Sequence, residues 1–399
     1  MKKVELLAPV GSFSKLHTAL HFGADAVYFG GKEFSLRAFA NNFSNDEIKE
    51  ALDLIHSQGK KGYITLNIFA KDSDFAKAKE FVKLINSYGA DGFIVSDTGL
   101  INMIRREVPD AEIHLSTQAN TLNSETVKFW RDFGVKRIVL ARECTLDEIK
   151  KIKDEVQDTV ELEVFIHGAM CISYSGRCLL STYLTDRDSN RGECVQACRW
   201  EYSLGEVSRK ESLTIQEDKR GTYILNSKDM NTMDILDKII EAGANSLKIE
   251  GRMKSEYYVG TVVNAYRKRI DQIIAGKEYD KSLYEELEKV NHREYTTGFY
   301  LGKPEQYYES SVSTNIYKFV AEVVGYNEEK GLLEVIQRNR FFDGDVLECV
   351  SNTDVKEIKL NGIFDEKMNK VEDCKLVQQR LFLKTNTKLN KYDMIRKKV

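Results

Sequence analysis

The sequence contains little proline and lacks the signals of membrane and secreted proteins. Three of its 399 residues are proline, and no low-complexity linker interrupts the chain. No apolar run approaches the ~20 residues that a helix needs to cross a bilayer. The N-terminal stretch MKKVELLAPVG has only a short apolar run interrupted by Glu5, so no secretory signal is visible. We therefore expect a cytoplasmic protein with no membrane partner.

Several catalytic motifs are also missing from the sequence. It contains no H-E-x-x-H, no G-x-S-x-G and no G-x-x-x-x-G-K-S/T, which argues against zincins, nucleophile-elbow hydrolases and P-loop enzymes. A cysteine protease that pairs Cys171 with His167 is disfavoured, because residues so close at one strand end seldom oppose each other. The net charge of −3 gives no overall attraction to nucleic acid, so any RNA contact requires a local patch.

A repeated pattern of glycine followed by an apolar strand predicts the fold. Gly23, Gly89, Gly134 and Gly243 each precede a near-continuous apolar run. Glycine ends a helix readily because it adopts the left-handed conformation without steric cost. Strands that are apolar on both faces belong in a parallel sheet covered on both sides. Amphipathic stretches at 45–58 and 73–88 are predicted to be two of the covering helices.

These runs predict an α/β fold, a (β/α)8 TIM-like barrel over residues 1–305. The nine candidate strands, one more than a barrel needs, are Val4–Ala8, Ala26–Gly30, Gly62–Asn67, Gly92–Asp97, Glu112–Thr117, Arg137–Arg142, Leu162–His167, Tyr223–Asn226 and Ser246–Glu250. A doubly wound sheet is the alternative, but no Gly-rich phosphate turn is present. Residues 198–221 resemble an inserted hairpin. Short alternating strands over 312–399 predict a small antiparallel β-barrel.

Four cysteines lie within a Cys-rich segment at 167–220: Cys171, Cys178, Cys194 and Cys198. Disulfides would require an oxidising compartment. Structural zinc favours close C-x-x-C pairs, which are absent here. A cubane iron–sulfur cluster accepts looser spacings, and small buried cysteines that bind nothing are a fourth possibility. Spacing favours the cluster among these four. The isolated Cys144, Cys349 and Cys374 are expected to be buried and inert.

Polar residues follow successive predicted strands, where a barrel places its functional groups. The candidate catalytic residues are His167, Asp229 and Glu250, and the candidate ligands of a small anion such as a dicarboxylate are Arg142, Lys228 and Arg252. Guanidinium and ammonium groups suit carboxylates or phosphates.

A predicted helix after Glu250 interleaves tyrosines with basic residues. Tyr257, Tyr258 and Tyr266 alternate with arginines and lysines up to Arg269. Such a mixture is able to stack bases and hold phosphates, which makes Tyr257 and Tyr258 candidate substrate-binding residues. The alternative is a solvated helix whose tyrosines pack on the barrel.

Several runs together resemble the collagenase-like peptidases of unassigned type, family U-32. They are ELLAPVGS, GADAVYFGG, EVFIHGAMCISYSGRC, RGECVQACRWEY, YILNSKDM and LKIEGRMKS. The resemblance covers essentially the whole chain. The better understood relatives look like hydroxylases that use an iron–sulfur cluster and prephenate to modify a tRNA wobble uridine, a ribosomal RNA cytidine or the ubiquinone ring. The four cysteines match that family's cluster ligands.

Length and the C-terminal module make the chain most similar to the tRNA branch, whose product is 5-hydroxyuridine. The resemblance implies a 4Fe–4S cluster held by Cys171, Cys178, Cys194 and Cys198, with prephenate as co-substrate. It further implies the tRNA anticodon arm as a partner and leaves open whether a second related chain is required. The alternatives are a peptidase, as the family name implies, and a non-catalytic RNA-binding protein with structural zinc.

Overall fold

In a computed structural model of the chain, the described residues are 4–32, 34, 42–171, 173–200, 217–218, 221–222, 228–304 and 316–399. The strands of the N-terminal unit are β1 Glu5–Pro9, β2 Ala26–Phe29, β3 Lys61–Leu66, β4 Gly92–Val95, β5 Ile113–Leu115, β6 Arg137–Val139, β7 Glu161–Ala169, β8 Glu217–Asp218, β9 Gly221–Thr222, β10 Asp229–Asn231, β11 Ser246–Ile249 and β12 Tyr295–Thr296. The helices are α1 Phe13–His21, α2 Asn45–Ser57, α3 Phe75–Ser87, α4 Thr98–Glu107, α5 Ser124–Asp132, α6 Leu146–Val156, α7 Leu180–Thr185, α8 Leu236–Glu241, α9 Glu256–Ile274 and α10 Ser282–Glu288.

Eight parallel strands close into the predicted (β/α)8 barrel. Strands β1 to β7 pair in chain order, and β11 pairs with both β7 and β1. Eight of the nine candidate strands are therefore confirmed, and the ninth, Tyr223–Asn226, lies outside the described residues. β10 runs antiparallel to the upper part of β7. β8 and β9 pair antiparallel within the stretch expected to form a hairpin.

The covering helices follow from local sequence. Ser44 and Glu47 form a reciprocal capping box at the start of α2, which satisfies two backbone donors. Ile48, Leu52 and Ile55 repeat at helical spacing on the buried face of α2. The predicted helices at 45–58 and 73–88 thus correspond to α2 and α3. Among the residues with described structure, no helix is both long and apolar enough to cross a membrane.

The lower, N-terminal end of the barrel encloses a buried ionic network. Arg137 lies 2.5 Å from Glu5 and 3.4 Å from Glu163, and Lys248 lies 2.7 Å from Glu163. Burial alone would raise the pKa of Glu163, but Lys248 and Arg137 outweigh it and hold that pKa below its usual value. Removing one partner of such a buried pair is strongly destabilising, because it leaves the other charge unpaired.

The C-terminal unit is a curled antiparallel sheet, which confirms the expected all-β module. Its strands are β13 Tyr317–Asn327, β14 Leu332–Gln337, β15 Phe341–Phe342, β16 Val346–Val350, β17 Val355–Lys359, β18 Ile363–Phe364, β19 Asp373–Cys374, β20 Arg380–Lys384 and β21 Met394–Lys398. Seven of these form one sheet in the order β17-β16-β21-β13-β14-β20-β18. The sheet encloses its own apolar core.

The two units dock through α9 and α10. Arg396 of β21 is fully buried and forms a two-pronged ion pair with Glu286 of α10, at 2.7 and 2.8 Å. The rings of Tyr257 on α9 and Phe319 on β13 stack with centroids 5.6 Å apart. Buried contacts of both kinds fix the C-terminal unit against the barrel.

Candidate functional site

A cavity of about 260 Å³ opens at the C-terminal ends of the barrel strands. All four cysteines of the Cys-rich segment line it, although the first and last are separated by 26 other residues in the sequence. Side chains that follow the strands complete the wall, including Thr65, Ser116 and Gln118. Functional groups at this end of a barrel are the expected arrangement.

The loops that carry the cysteines are anchored to the barrel by polar contacts. The backbone N–H and hydroxyl of Ser175 donate to Glu143 at 2.7 and 2.6 Å. Arg191 forms an ion pair with Asp74 at 2.9 Å. Asn190 donates to the carbonyl of Cys178 at 2.9 Å. These bonds hold the loop from 173 to 200 over the barrel mouth.

Three of the four thiols accept a hydrogen bond from the backbone N–H two residues further along. The N–H of Leu180 lies 3.3 Å from Cys178 Sγ, and that of Gln196 lies 3.4 Å from Cys194 Sγ. The Ser173 N–H donates to Cys171 in the same way. Donors aimed at sulfur stabilise a thiolate over a thiol, and they tune the sulfur ligands of iron–sulfur clusters. The local backbone therefore suits thiolate chemistry.

Four cysteine sulfurs around one cavity are the type of ligand that iron–sulfur clusters use. Burial raises the pKa of Cys171, while the Ser173 N–H and Arg142 oppose that rise. The thiols of Cys178 and Cys194 lie close enough to Cys171 to raise its pKa further, because neighbouring negative charges disfavour ionisation. Within the described residues, no three His, Cys, Asp or Glu side chains are grouped to hold a single metal ion.

Arg142 and Arg252 both line the cavity, as the strand-end pattern predicted. Arg142 donates to the carbonyl of Ala169 at 2.8 Å, and its guanidinium lies 3.9 Å from the centre of the Phe165 ring. Arg252 is buried and donates to Asn42 at 2.8 Å. Two guanidinium groups positioned at one cavity are well suited to bind an anion.

Glu250 is the acidic side chain of the cavity. One of its oxygens lies 3.8 Å from Arg142 and 3.5 Å from the hydroxyl of Tyr28. Its side chain is largely shielded from solvent. Glu250 thus lines the cavity next to Arg142.

Two other predicted site residues do not line the cavity. Lys228 forms an ion pair with Glu294 at 3.3 Å. Asp229 is buried and bound to Arg293 by two guanidinium contacts at 3.0 and 2.6 Å. Burial alone would raise the pKa of Asp229, but Arg293 outweighs it and lowers that pKa. Lys228 was predicted to bind the anion and Asp229 was a catalytic candidate, whereas the structure holds both in ion pairs away from the cavity lining.

His167 is buried among aromatic rings and does not line the cavity. The rings of Tyr258, Tyr266 and Tyr295 all lie within 5.8 Å of its centroid. Burial lowers the pKa of His167 to about 3, so the imidazole is neutral near pH 7. The expectation of a catalytic histidine is corrected to a packed one, and it is not paired with Cys171.

The helix tyrosines are also packed rather than exposed. Tyr257 donates to the carbonyl of Lys289 at 3.0 Å and stacks on Phe319 of the C-terminal unit. Tyr258 is buried, and its hydroxyl donates to the carbonyl of Glu250 at 3.3 Å. The expected stacking of RNA bases on these two rings is therefore corrected, because their burial leaves no open face for a base.

Sequence reasoning missed one cationic residue of the cavity wall. Lys248 lines the cavity and reaches down to Glu163, and its ammonium lies 4.4 Å from the centre of the Tyr28 ring. Lys248 lies within the apolar strand SLKI. A lysine at an inward position of such a strand was the signal that could have indicated a functional residue. With Arg142, Arg252 and Lys254, it makes the charged lining predominantly cationic.

Comparisons with known proteins place the chain in a family. The model of peptidase family U32 matches residues 11–310, and the model of the peptidase family U32 C-terminal domain matches residues 315–396. The chain belongs to this family. It is 40% identical to the tRNA hydroxylation protein P1 of Bacillus subtilis, over 99% of this chain and 95% of that protein.

Two further relatives show the range of names within the family. The chain is 40% identical to the tRNA hydroxylation protein P of Escherichia coli, over 88% of this chain and 87% of that protein. It is 34% identical to a protein of Porphyromonas gingivalis named Collagenase, over 75% of this chain and 74% of that protein.

Proposed function

We propose that this protein is an RNA-modifying enzyme that hydroxylates tRNA and forms 5-hydroxyuridine at the wobble position. Similarity to tRNA hydroxylation proteins over nearly the whole chain supports the RNA substrate. The observation that carries the proposal is the cavity, which brings four cysteines together with Arg142 and Arg252 at the barrel mouth.

Hydroxylation at C5 of uridine replaces C–H by C–OH and removes two electrons from the base, so the reaction requires a two-electron acceptor and an oxygen donor besides the side chains of this chain. In this proposal Cys171, Cys178, Cys194 and Cys198 hold a 4Fe–4S cluster, which when bound supplies the electron-transfer chemistry that side chains lack. The backbone N–H groups of Ser173, Leu180 and Gln196 would donate to three of the sulfurs that hold the cluster.

The co-substrate in this proposal is prephenate, a dicarboxylate. Arg142 and Arg252 bind its carboxylates, and Glu250 orients Arg142. A wobble uridine lies in a loop, so it reaches the cavity by splaying out without the cost of melting a duplex.

The first test measures modified nucleosides in tRNA from a strain that lacks the gene. We expect the wild-type gene to restore 5-hydroxyuridine derivatives and Cys194→Ser to leave them absent. Cys374→Ser is the matched control, because Cys374 is fully buried in the C-terminal sheet. Normal modification in the Cys194→Ser strain would refute the role of the cysteine site.

The second test measures iron, acid-labile sulfide and the visible spectrum of protein purified without air. About four irons and four sulfides with a broad brown absorbance are expected for one cluster. One zinc without sulfide would instead favour an RNA-binding protein with a structural metal. Hydroxylation of tRNA by the purified chain and prephenate would show that no second related chain is needed.

Peptide hydrolysis is the second candidate function, because one relative is named Collagenase. A cysteine nucleophile requires a base within hydrogen-bonding reach. Cys171 lines the cavity, whereas His167 does not and is surrounded by tyrosines. Gelatin cleavage by metal-free protein would favour this function over hydroxylation.

A further inference from the structure

The loops around the cavity mouth expose three aromatic side chains. Tyr174 is 51%, Tyr183 is 87% and Trp200 is 42% exposed. We refer to these three residues as the aromatic rim. Large apolar neighbours in the same loops are exposed as well, namely Leu179, Leu184 and Met253. Exposed apolar side chains that cluster in one region commonly mark a binding surface.

The aromatic rim is continuous with the cavity wall. Tyr174 directly precedes Ser175 and Gly176, which line the cavity. Tyr183 lies on α7, whose residues Leu180 and Ser181 also line it. Trp200 is two residues from Cys198. The three rim residues therefore belong to the same loop segment that forms part of the cavity wall.

Among the described residues of the loop from 173 to 200, the exposed charged side chains are balanced. Arg177 and Arg187 are exposed in these loops, and so are Asp186 and Glu193. Counterion release from phosphates therefore contributes little at this surface. Stacking on aromatic rings does not need a net charge, and it tolerates any sequence because every base has a π face.

We infer that the aromatic rim binds unpaired bases of an RNA loop, next to the base that enters the cavity. This inference rests on the proposed function and assigns its RNA contacts to Tyr174, Tyr183 and Trp200. It replaces the buried tyrosines of α9, which the sequence had suggested for the same task.

The chain provides its own reporter, because it has only two tryptophans. Trp130 is 8% exposed on α5, and Trp200 belongs to the rim. In a Trp130→Phe variant the emission comes from Trp200 alone. We expect a hairpin RNA with an unpaired loop to quench it, and a fully paired duplex of the same length to leave it unchanged. A Trp200→Phe variant, which retains Trp130, is expected not to respond to either RNA.

Affinity measurements provide an independent readout. We expect Tyr183→Ala to weaken binding of the hairpin about tenfold, as for the loss of one stacked base, and Tyr183→Phe to retain it. The dependence of affinity on salt should be the same in both variants, because stacking releases no counterions. Phe129→Ala is the control, since Phe129 is 60% exposed on α5, away from the cavity lining.

The outcomes separate the inference from the proposed function. Unchanged Trp200 emission and unchanged Tyr183→Ala affinity in a protein that hydroxylates tRNA would overturn the rim and leave the function standing. A wild-type protein that neither binds nor hydroxylates tRNA would overturn both. Equal quenching by the loop and the duplex would also overturn the inference, because stacking requires unpaired bases.

Discussion

The two ends of the barrel use charged side chains in opposite ways. At the lower end, Arg137, Glu5 and Glu163 neutralise one another within the interior. At the upper end, Arg142 and Arg252 face a cavity beside four thiols. The lower network pairs its charges within the interior, whereas Arg142 and Arg252 line a cavity where a ligand would meet them.

The chain segments that connect strands and helices also differ between the two ends of the barrel. At the lower end, tight turns lead into the strands. Four of these turns contain a glycine in the left-handed region, namely Gly23, Gly89, Gly134 and Gly243. The loop from 170 to 200 leaves β7 at the upper end and brings the cysteines over the cavity. Short turns close one end, and the long loop builds the site at the other.

The largest expected effect is the loss of a lower-end charge. Glu163→Gln leaves Lys248 and Arg137 without their shared buried carboxylate, so the free energy of unfolding should fall by about 3–5 kcal/mol. Urea denaturation measures this change. Replacing Lys248 by Met in the same chain should restore part of the loss. Asp53→Asn, which breaks an exposed ion pair with Lys49, should cost under about 1 kcal/mol.

The next effect concerns the upper end. Arg142→Gln removes a cavity guanidinium, so the proposed function predicts that the KM for prephenate rises about 100-fold, because a charge-assisted contact is lost. Arg142→Lys should be intermediate, since an ammonium cannot form the two-pronged contact. Steady-state kinetics with tRNA at saturation measure both. An equally large rise for Lys228→Gln would contradict the assignment, because Lys228 does not line the cavity.

Variants of His167 test whether a residue at the upper end of a barrel strand takes part in function because of its position alone. Its pKa is lowered to about 3 in the folded protein because of burial, against about 6.5 in an unfolded chain. The unfolded state therefore binds more protons below pH 6.5, and stability falls as the pH falls. We expect about 2 kcal/mol of stability to be lost from this group at pH 5.

The measurement compares urea unfolding at pH 7 and pH 5. A His167→Gln variant should lack this part of the acid-induced loss, because glutamine does not titrate. It should also retain hydroxylation activity once folded. An inactive variant of unchanged fold would return His167 to the list of catalytic candidates.

The smallest expected effect distinguishes buried tyrosines from the aromatic rim. Tyr257→Phe loses one hydrogen bond to Lys289, and stability should fall by about 1 kcal/mol. Hairpin RNA affinity should remain unchanged, in contrast to Tyr183→Ala. Reduced RNA affinity without a change in fold would show that α9 contacts the substrate.

Much of the fold was predictable because its signals are local. Apolar runs indicated the eight barrel strands, four of them after a glycine turn, and the helices predicted at 45–58 and 73–88 begin and end within two residues of those limits. The ninth candidate, Tyr223–Asn226, lies outside the described residues and stays a prediction. The sequence did not identify which of the nine is the extra one, because an apolar run alone does not reveal which neighbours a strand will have.

The candidate site was only partly predictable. Arg142 and Arg252 follow barrel strands and reach the cavity, whereas Lys228 adjoins β10, which runs antiparallel to β7. The strand-end rule holds for parallel strands of the barrel, so it failed for a residue beside an antiparallel one. Lys248 was overlooked because a lysine within an apolar strand carries no sign of its ion-pair partner.

By itself, the sequence determined the parallel barrel, the separate β module and the spacing of four cysteines, because hydrophobic periodicity and glycine turns act over a few residues. Only the tertiary structure decided which polar groups share a cavity, since that depends on strand direction and closure. It buried Tyr257 and His167 and exposed Tyr183. Burial is set by contacts between distant segments, and the same residue type therefore serves packing in one place and remains open to a ligand in another.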